Sequence, residues 1–239
     1  MPRLLVIGDS VSFHGPEHAA VLSEPRLWAN VTAAGLGWEA DIYGRVGWTA
    51  RDVWWALKGD PYLTSVLIPR ADVIVLAIGA FDHLPVIMPT YLREGIARIR
   101  PGSVRRVVRK AYSFAQSHGV KVTRDLFRVL PQAAVDRYLS RSVQALRSLH
   151  PQIQLIGWIP YEHASRYYGY VLDGHDTAVQ AAKAWGIEHE VPMVDLDEIV
   201  TPHMRAGLGN PDGMHWGWQS HHAVGEMTEK IIRNLSLPG

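Results

Sequence analysis

Five runs of apolar residues punctuate the chain, each closing on Gly, Pro or Asp: RLLVIG (3–8), EADIYG (39–44), DVIVLAIG (72–79), QLIGWIP (154–160) and VPMVDLD (191–197). Most are continuous rather than alternating, the pattern of strands buried on both faces of a parallel sheet. Helical spacing fills the gaps. EPRLWANVTAAGLG carries Pro25, which suits a first helical turn, and closes on glycine. TARDVWWALKGD puts Val53 and Leu57 on one face behind a candidate cap at Thr49. PQAAVDRYLSRSVQALRSLH repeats apolar residues through Ala134, Tyr138, Val143, Ala145, Leu146 and Leu149. HDTAVQAAKAWG and GWQSHHAVGEMTEKIIRNL complete the set. Strands alternating with helices predict an α/β fold in three layers, α/β/α, around a central parallel sheet.

One stretch breaks the rhythm. After the third strand the chain runs from Phe81 to Leu130 before the next clear helix, too far for a plain connection. Residues 84–130 are therefore expected to form a helical insertion or lid within a single domain spanning 1–239. Its charge is one-sided: between 91 and 128, ten Lys and Arg stand against Glu94 and Asp125. A solvated helix face and an anion-binding lid both fit that pattern. No nucleic-acid motif accompanies the arginines.

Composition narrows the rest. The 239 residues are 47% hydrophobic with a formal net charge of +1, enough for a full core and no whole-surface pull toward nucleic acid or membrane. There is no cysteine, which removes disulfides, thiolate nucleophiles and Cys-ligated metals. The first residues read as a strand rather than a signal peptide, and no run approaches the roughly 20 apolar residues of a membrane span. A cytoplasmic protein is expected. Nine tryptophans fit either core packing or flat faces for sugar rings and an acyl chain.

The first strand stops at Gly8-Asp9-Ser10 and so sets a hydroxyl at the carboxyl edge of the sheet, where open α/β proteins bind ligands. Gly-Asp-Ser arises by chance in roughly one chain of this length in twenty. Near the other terminus, in a Gly/Pro-rich loop before the last helix, Asp212 and His215 stand three apart. That spacing lets one loop set a carboxylate against one imidazole nitrogen while the other faces out. A bare D-x-x-H is also common, roughly one chain in four. Together they are more telling, because a serine nucleophile needs a base and the base needs an orienting group. Developing negative charge needs donors too, and Gly47 and Gly79 follow the second and third strands.

These blocks resemble the SGNH (GDSL) hydrolase superfamily over the whole chain. The resemblance implies a flavodoxin-like sheet, Ser10 as nucleophile, Asp212 and His215 completing a triad, and backbone N–H groups of Ser10 and Gly47 as oxyanion donors. The third block departs. The family has G-x-N-D, and here the chain reads Gly79-Ala80-Phe81-Asp82, so Phe81 replaces the asparagine that would be the third donor. Either two donors suffice or a neighbour supplies the third.

DSVSFHGPE, RVGWTARDVWWAL, DHLP, YLREGIARIRPG and GNPDGMHWGW together resemble the branch of this superfamily that moves an octanoyl group from octanoyl-CoA to a glucosylglycerate. That implies an acyltransferase with acyl-CoA as co-substrate and no tightly bound cofactor. The alternative is an SGNH-type esterase acting on small acyl or carbohydrate esters. A carbohydrate-binding protein with a decayed site is a third reading, disfavoured because the triad residues are all present.

Asp9, His14, Trp48, Arg51, Asp82, His83 and Trp216 are the expected substrate contacts. Asp82, as an acceptor, would hold a sugar hydroxyl or order its loop. His14 and His83 fit substrate contact or loop support equally. Arg51 fits an anionic substrate group or a surface ion pair. Of the adjacent Trp54 and Trp55, one at most can face a pocket. The tyrosine-rich stretch after the fourth strand lines an acceptor pocket or forms an ordinary loop. His203, His215, His221 and His222 match no standard metal-ligand spacing, so no metal is expected.

Overall fold

The computed structural model describes residues 1–124 and 126–235. Asp125, one of the two acids counted in the basic segment, lies outside the described residues. Five strands, β1 (Arg3–Gly8), β2 (Glu39–Gly44), β3 (Val73–Ala77), β4 (Gln154–Ile159) and β5 (Met193–Asp195), form one sheet in the order β2-β1-β3-β4-β5. Every pairing is parallel.

Helices cover both faces. On one, α1 (Trp28–Leu36), α7 (Leu196–Arg205) and α8 (Trp218–Arg233) pack over Leu4, Val6, Val73 and Val75. On the other, α2 (Ala50–Gly59), α5 (Gln132–Leu149) and α6 (His175–Glu188) pack over Leu5, Ile7, Ile74 and Leu76. Successive residues of β1 thus feed opposite cores, and each fully buried aliphatic side chain contributes about 1.5–3 kcal/mol. This is why the strand reads as an unbroken apolar run. The three-layer α/β/α architecture is the one expected.

Several boundaries differ. β3 ends at Ala77 rather than residue 79, because Gly79 turns into the left-handed region at φ +95°. β4 stops before Pro160. β5 is shorter than the apolar run that contains it: Asp195 caps Glu198 N–H, and α7 begins at Leu196. That helix, which carries Pro202 inside it, has no counterpart in the sequence reading. Pro25 precedes α1 instead of sitting in its first turn, since the helix starts at Trp28. The Thr49 cap is a full capping box with Asp52, whose Oδ2 accepts Thr49 N–H at 2.9 Å. In α5, Val135, Val143 and Leu146 are buried and Leu149 is left exposed.

The segment after β3 carries α3 (Thr90–Gly95) and the long α4 (Gly102–Thr123). Its two ends meet. Val86 N–H donates to Phe127 O at 2.8 Å, Val129 N–H to Leu84 O at 2.9 Å and Leu130 N–H to Asp82 O at 2.8 Å. The excursion therefore leaves the sheet and returns at one place, over a small core of Leu84, Val86, Val129 and Tyr168.

Candidate active site

In this strand order the chain leaves β1 toward β2 on one side, and β3 flanks β1 on the other. Crevices at such a reversal, outside the carboxyl ends of the strands, are the binding places of open α/β sheets. Ser10 lies there, two residues past β1. It opens a single 3-10 turn, Ser10–Ser12, whose cap is Asp9: Asp9 Oδ1 accepts Val11 N–H at 3.0 Å. As the first residue of that turn, Ser10 has no intrahelical acceptor for its own N–H.

The loop before α8 builds the partner group. Asn210 Oδ1 accepts Asp212 N–H at 2.9 Å, and Asn210 N–H donates to His215 O at 2.8 Å, closing the loop on itself. Asp212 then divides its oxygens. Oδ1 accepts the N–H groups of Met214 (2.8 Å) and His215 (3.1 Å), and Oδ2 lies 2.6 Å from His215 Nδ1. With Nδ1–H donating to that carboxylate, His215 Nε2 is the acceptor for the Ser10 hydroxyl, 2.9 Å away. Residues at opposite ends of the chain thus form one continuous hydrogen-bond chain. Burial pushes the Asp212 carboxyl up, but the ring and backbone donors together outweigh it and hold it down at about 2. The carboxylate is charged throughout the neutral range.

Neighbours hold this loop. Gly213, at φ +71°, accepts Ala164 N–H at 2.8 Å, and the buried Tyr161 hydroxyl donates to Met214 O. His14 stacks on His215 with ring centroids 3.8 Å apart and planes 20° from parallel. The His14 ring is tied to Gly15 O at 2.8 Å, and His221 Nε2 lies 3.1 Å from His14 O. Burial, followed by the charge of His215, lowers the His14 pKa against the pull of that carbonyl. Asn210 was not singled out from sequence, Tyr161 was weighed only as part of the tyrosine-rich stretch, and His221 only as a metal ligand. The Asn-Pro-Asp-Gly run is a turn signal that points to Asn210, whereas the other two carry no local signal.

Four expected substrate contacts are buried in the structure. Trp216 is fully enclosed between Trp158, Tyr161 and His221 and offers no face to a ligand. Asp82 accepts Ala50 N–H at 3.0 Å and so joins the start of α2 to the root of the insertion, which is a structural task. Asp9 is buried and gives Oδ1 to its cap, while its Oδ2 finds no partner among the described residues, and His83 is buried beside His175. Burial drives the Asp9 and Asp82 carboxyls up, to about 8 and about 7, and the His83 imidazole down to about 3. Arg51 pairs with Glu94, which ties α2 to α3. Trp48 packs edge-on against Tyr43, Trp54 lies under Lys58 and Arg141, and Trp55 is exposed. Phe81 sits edge-on to Tyr161, with ring centroids 5.7 Å apart. Gly47 is exposed at φ +72°, in the loop after β2.

Solved structures share this architecture at low identity. A lipase/acylhydrolase from Enterococcus faecalis superposes with a TM-score of 0.62 at 17% identity, covering 98% of this chain and 96% of its own. A carbohydrate acetylesterase from Sinorhizobium meliloti gives 0.60 at 11%, covering 98% and 99%. A G-D-S-L family lipolytic protein from Desulfitobacterium hafniense gives 0.57 at 13%, covering 97% and 99%. No protein-family model matches the chain. Sheet order and site blocks together define an enzyme of the SGNH (GDSL) superfamily. Sequence relatives narrow this further. Diglucosylglycerate octanoyltransferase of Mycobacterium tuberculosis is 37% identical over 237 residues, covering 99% of this chain and 94% of the relative. That of Mycolicibacterium hassiacum is 38% identical over 237 residues, covering 99% and 97%. The chain belongs to the diglucosylglycerate octanoyltransferase family and is an acyltransferase. Among the described residues, no helix is long and apolar enough to cross a membrane.

Proposed function

We propose that the chain transfers an octanoyl group from octanoyl-CoA to a hydroxyl of diglucosylglycerate or a similar glucosylglycerate, through an acyl-enzyme on Ser10. The observation that carries this is the unbroken chain Ser10–His215–Asp212, in a protein similar along its whole length to two octanoyltransferases. His215 Nε2 takes the hydroxyl proton as Ser10 Oγ attacks the thioester carbonyl. The oxyanion is held by the N–H groups of Ser10 and Gly47. Their exposed loop and first-turn positions support that role, and Phe81 adds no side-chain donor. The C–S bond breaks, and the thiolate leaves with the proton from His215. A sugar hydroxyl then gives its proton to Nε2 and attacks the ester, and Ser10 leaves reprotonated.

Residues 84–130 act in this scheme as a basic lid that keeps water from the acyl-enzyme. The rooted ends of the segment support this, as does the packing of Met214, just before His215, against the core beneath it. The reaction belongs in the cytoplasm, the compartment that holds CoA thioesters.

Thiol release from octanoyl-CoA, with and without diglucosylglycerate, tests the proposal. Release limited to about one equivalent per enzyme without the acceptor and sustained turnover with it, both abolished in Ser10→Ala, is expected. The fold neighbours named as lipase and acetylesterase favour a second reading, hydrolysis, and equal release without acceptor would establish it instead.

A further inference from the structure

The insertion carries a cavity of about 560 Å³ between α3, α4 and the loop after β4. Its charged lining is entirely cationic: Arg93, Arg105 and Arg109, with Tyr112 and Tyr167 as aromatic walls. Arg105 and Arg109 are four apart on α4, on the face that continues to the buried Tyr112 and Gln116. Along that face Arg105 is half-buried and Arg109 exposed, so burial increases from the arginines toward Tyr112 and Gln116. Like charges at this spacing repel, and Arg93 adds a third from α3. Among the described residues no carboxylate pairs with any of the three. The nearby Glu94 is engaged by Arg51, and Asp173 by Arg124. Arg105 reaches only a carbonyl, Ala97 O, at 3.3 Å. Three guanidinium groups lining one cavity, with no counter-charge on them among the described residues, are an anion site by their chemistry, because each can donate two parallel bonds to phosphate oxygens.

One residue of the cavity wall also belongs to the core beneath the His215 loop. Tyr167 forms part of that wall and packs in the same small core as Phe81 and Met214. The loop after β4 that carries Tyr167 also donates Ala164 N–H to Gly213 O at 2.8 Å, beside Asp212. Tyr167 thus lines the arginine cavity on one side and packs on the other against the core that also holds Phe81 and Met214.

We propose that Arg93, Arg105 and Arg109 bind the phosphate groups of the acyl-CoA donor, so that its thiol arm passes Tyr167 toward Ser10. This rests on the acyl-transfer reading of Ser10 given above. The volume lies in the range of small-molecule sites, about 300–1,000 Å³, and suits a nucleotide-sized group. A single carboxylate, such as that of a glycerate acceptor, would leave most of the positive charge unmatched.

The test compares octanoyl-CoA with octanoyl-pantetheine, which has the same thioester and no phosphate, at saturating diglucosylglycerate. The wild-type enzyme is expected to favour octanoyl-CoA in kcat/KM by about tenfold or more, the value of one or two charge-assisted bonds. In Arg105→Gln/Arg109→Gln that preference collapses toward unity. Arg106→Gln, exposed and outside the cavity, retains it. Free CoA binding to Ser10→Ala, read by calorimetry with and without the double substitution, is expected to weaken by a similar factor. A preference that survives the double substitution overturns the proposal. So does a change confined to the KM of diglucosylglycerate, which would assign the cavity to the acceptor carboxylate. If the chain turns over no octanoyl thioester yet binds CoA through these arginines, the acyl-transfer reading fails and the anion site stands.

Discussion

Gly213 and Gly207 share a backbone conformation, at φ +71° and +70°, but not their surroundings. A Cβ at Gly207 would meet nothing within 4 Å. A Cβ at Gly213 would lie 2.2 Å from Ala164 O and 2.6 Å from Ser165 N, both backbone atoms. Alanine at either position bears left-handed strain of about 1–2 kcal/mol. Gly207→Ala is expected to show only that, as a small loss of stability with kcat unchanged. Gly213→Ala must in addition move the Asp212–His215 loop by roughly 1 Å to reach ordinary contact, and a displacement of that size costs about a hundredfold in rate. It also disturbs the bond from Ala164 N–H to Gly213 O. Denaturant unfolding and steady-state transfer on both variants give the comparison. The expected result is a stability loss for Gly213→Ala at least about 2 kcal/mol beyond that of Gly207→Ala, with kcat down about a hundredfold. Equal stability and equal kcat for the two variants would refute the packing described for this loop.

Asp212→Asn retains an oxygen for Met214 and His215 N–H but sets an N–H against His215 Nδ1, which drives the ring to the wrong tautomer. A buried triad aspartate loses about 10⁴ in this way. Asp212 is 43% exposed, so water compensates in part, and a fall of roughly 10–100-fold in kcat is expected, the worth of a charged hydrogen bond; a change under about twofold would contradict the role. His14→Ala removes the ring stacked on His215 and is expected to lower kcat about 2–10-fold, whereas His14→Phe preserves the stack and most of the rate; equal damage from both would refute positioning by stacking. Asp82 holds its proton more tightly folded than unfolded, with its pKa raised from 3.8 to about 7. Its contribution is therefore fully present below pH 4 and is lost as pH rises through 7. Asp82→Asn should gain stability relative to wild type between pH 4 and 7 and hold that gain above it; a pH-independent difference in denaturant midpoint would sink this.

The five strands were legible because strands buried on both faces cannot alternate, and β1, β3 and β4 are nearly all buried. α7 was not, because Asp195 ends a strand and caps a helix at once and Pro202 masks the helical spacing. Ser10, Asp212 and His215 were legible as types at fixed spacings. The contacts that steady them, Tyr161 to Met214 O and His221 to His14 O, join residues distant in sequence and form only through the fold. Trp216 shows the converse limit: adjacency to His215 does not tell whether an indole lines a pocket or fills the core, and here it is fully enclosed. Asp82 reads as a site residue from its block, yet its carboxylate is spent on Ala50 N–H, a partner that comes close only when α2 and the insertion root converge.

The most direct measurement is peptide mapping of enzyme quenched after mixing with octanoyl-CoA in the absence of acceptor. An octanoyl ester on the peptide bearing Ser10, which disappears when diglucosylglycerate is added and is absent in Ser10→Ala, is the expected result. Transfer to the acceptor with no adduct on Ser10, or with the acyl group on another residue, would contradict an acyl-enzyme at this serine.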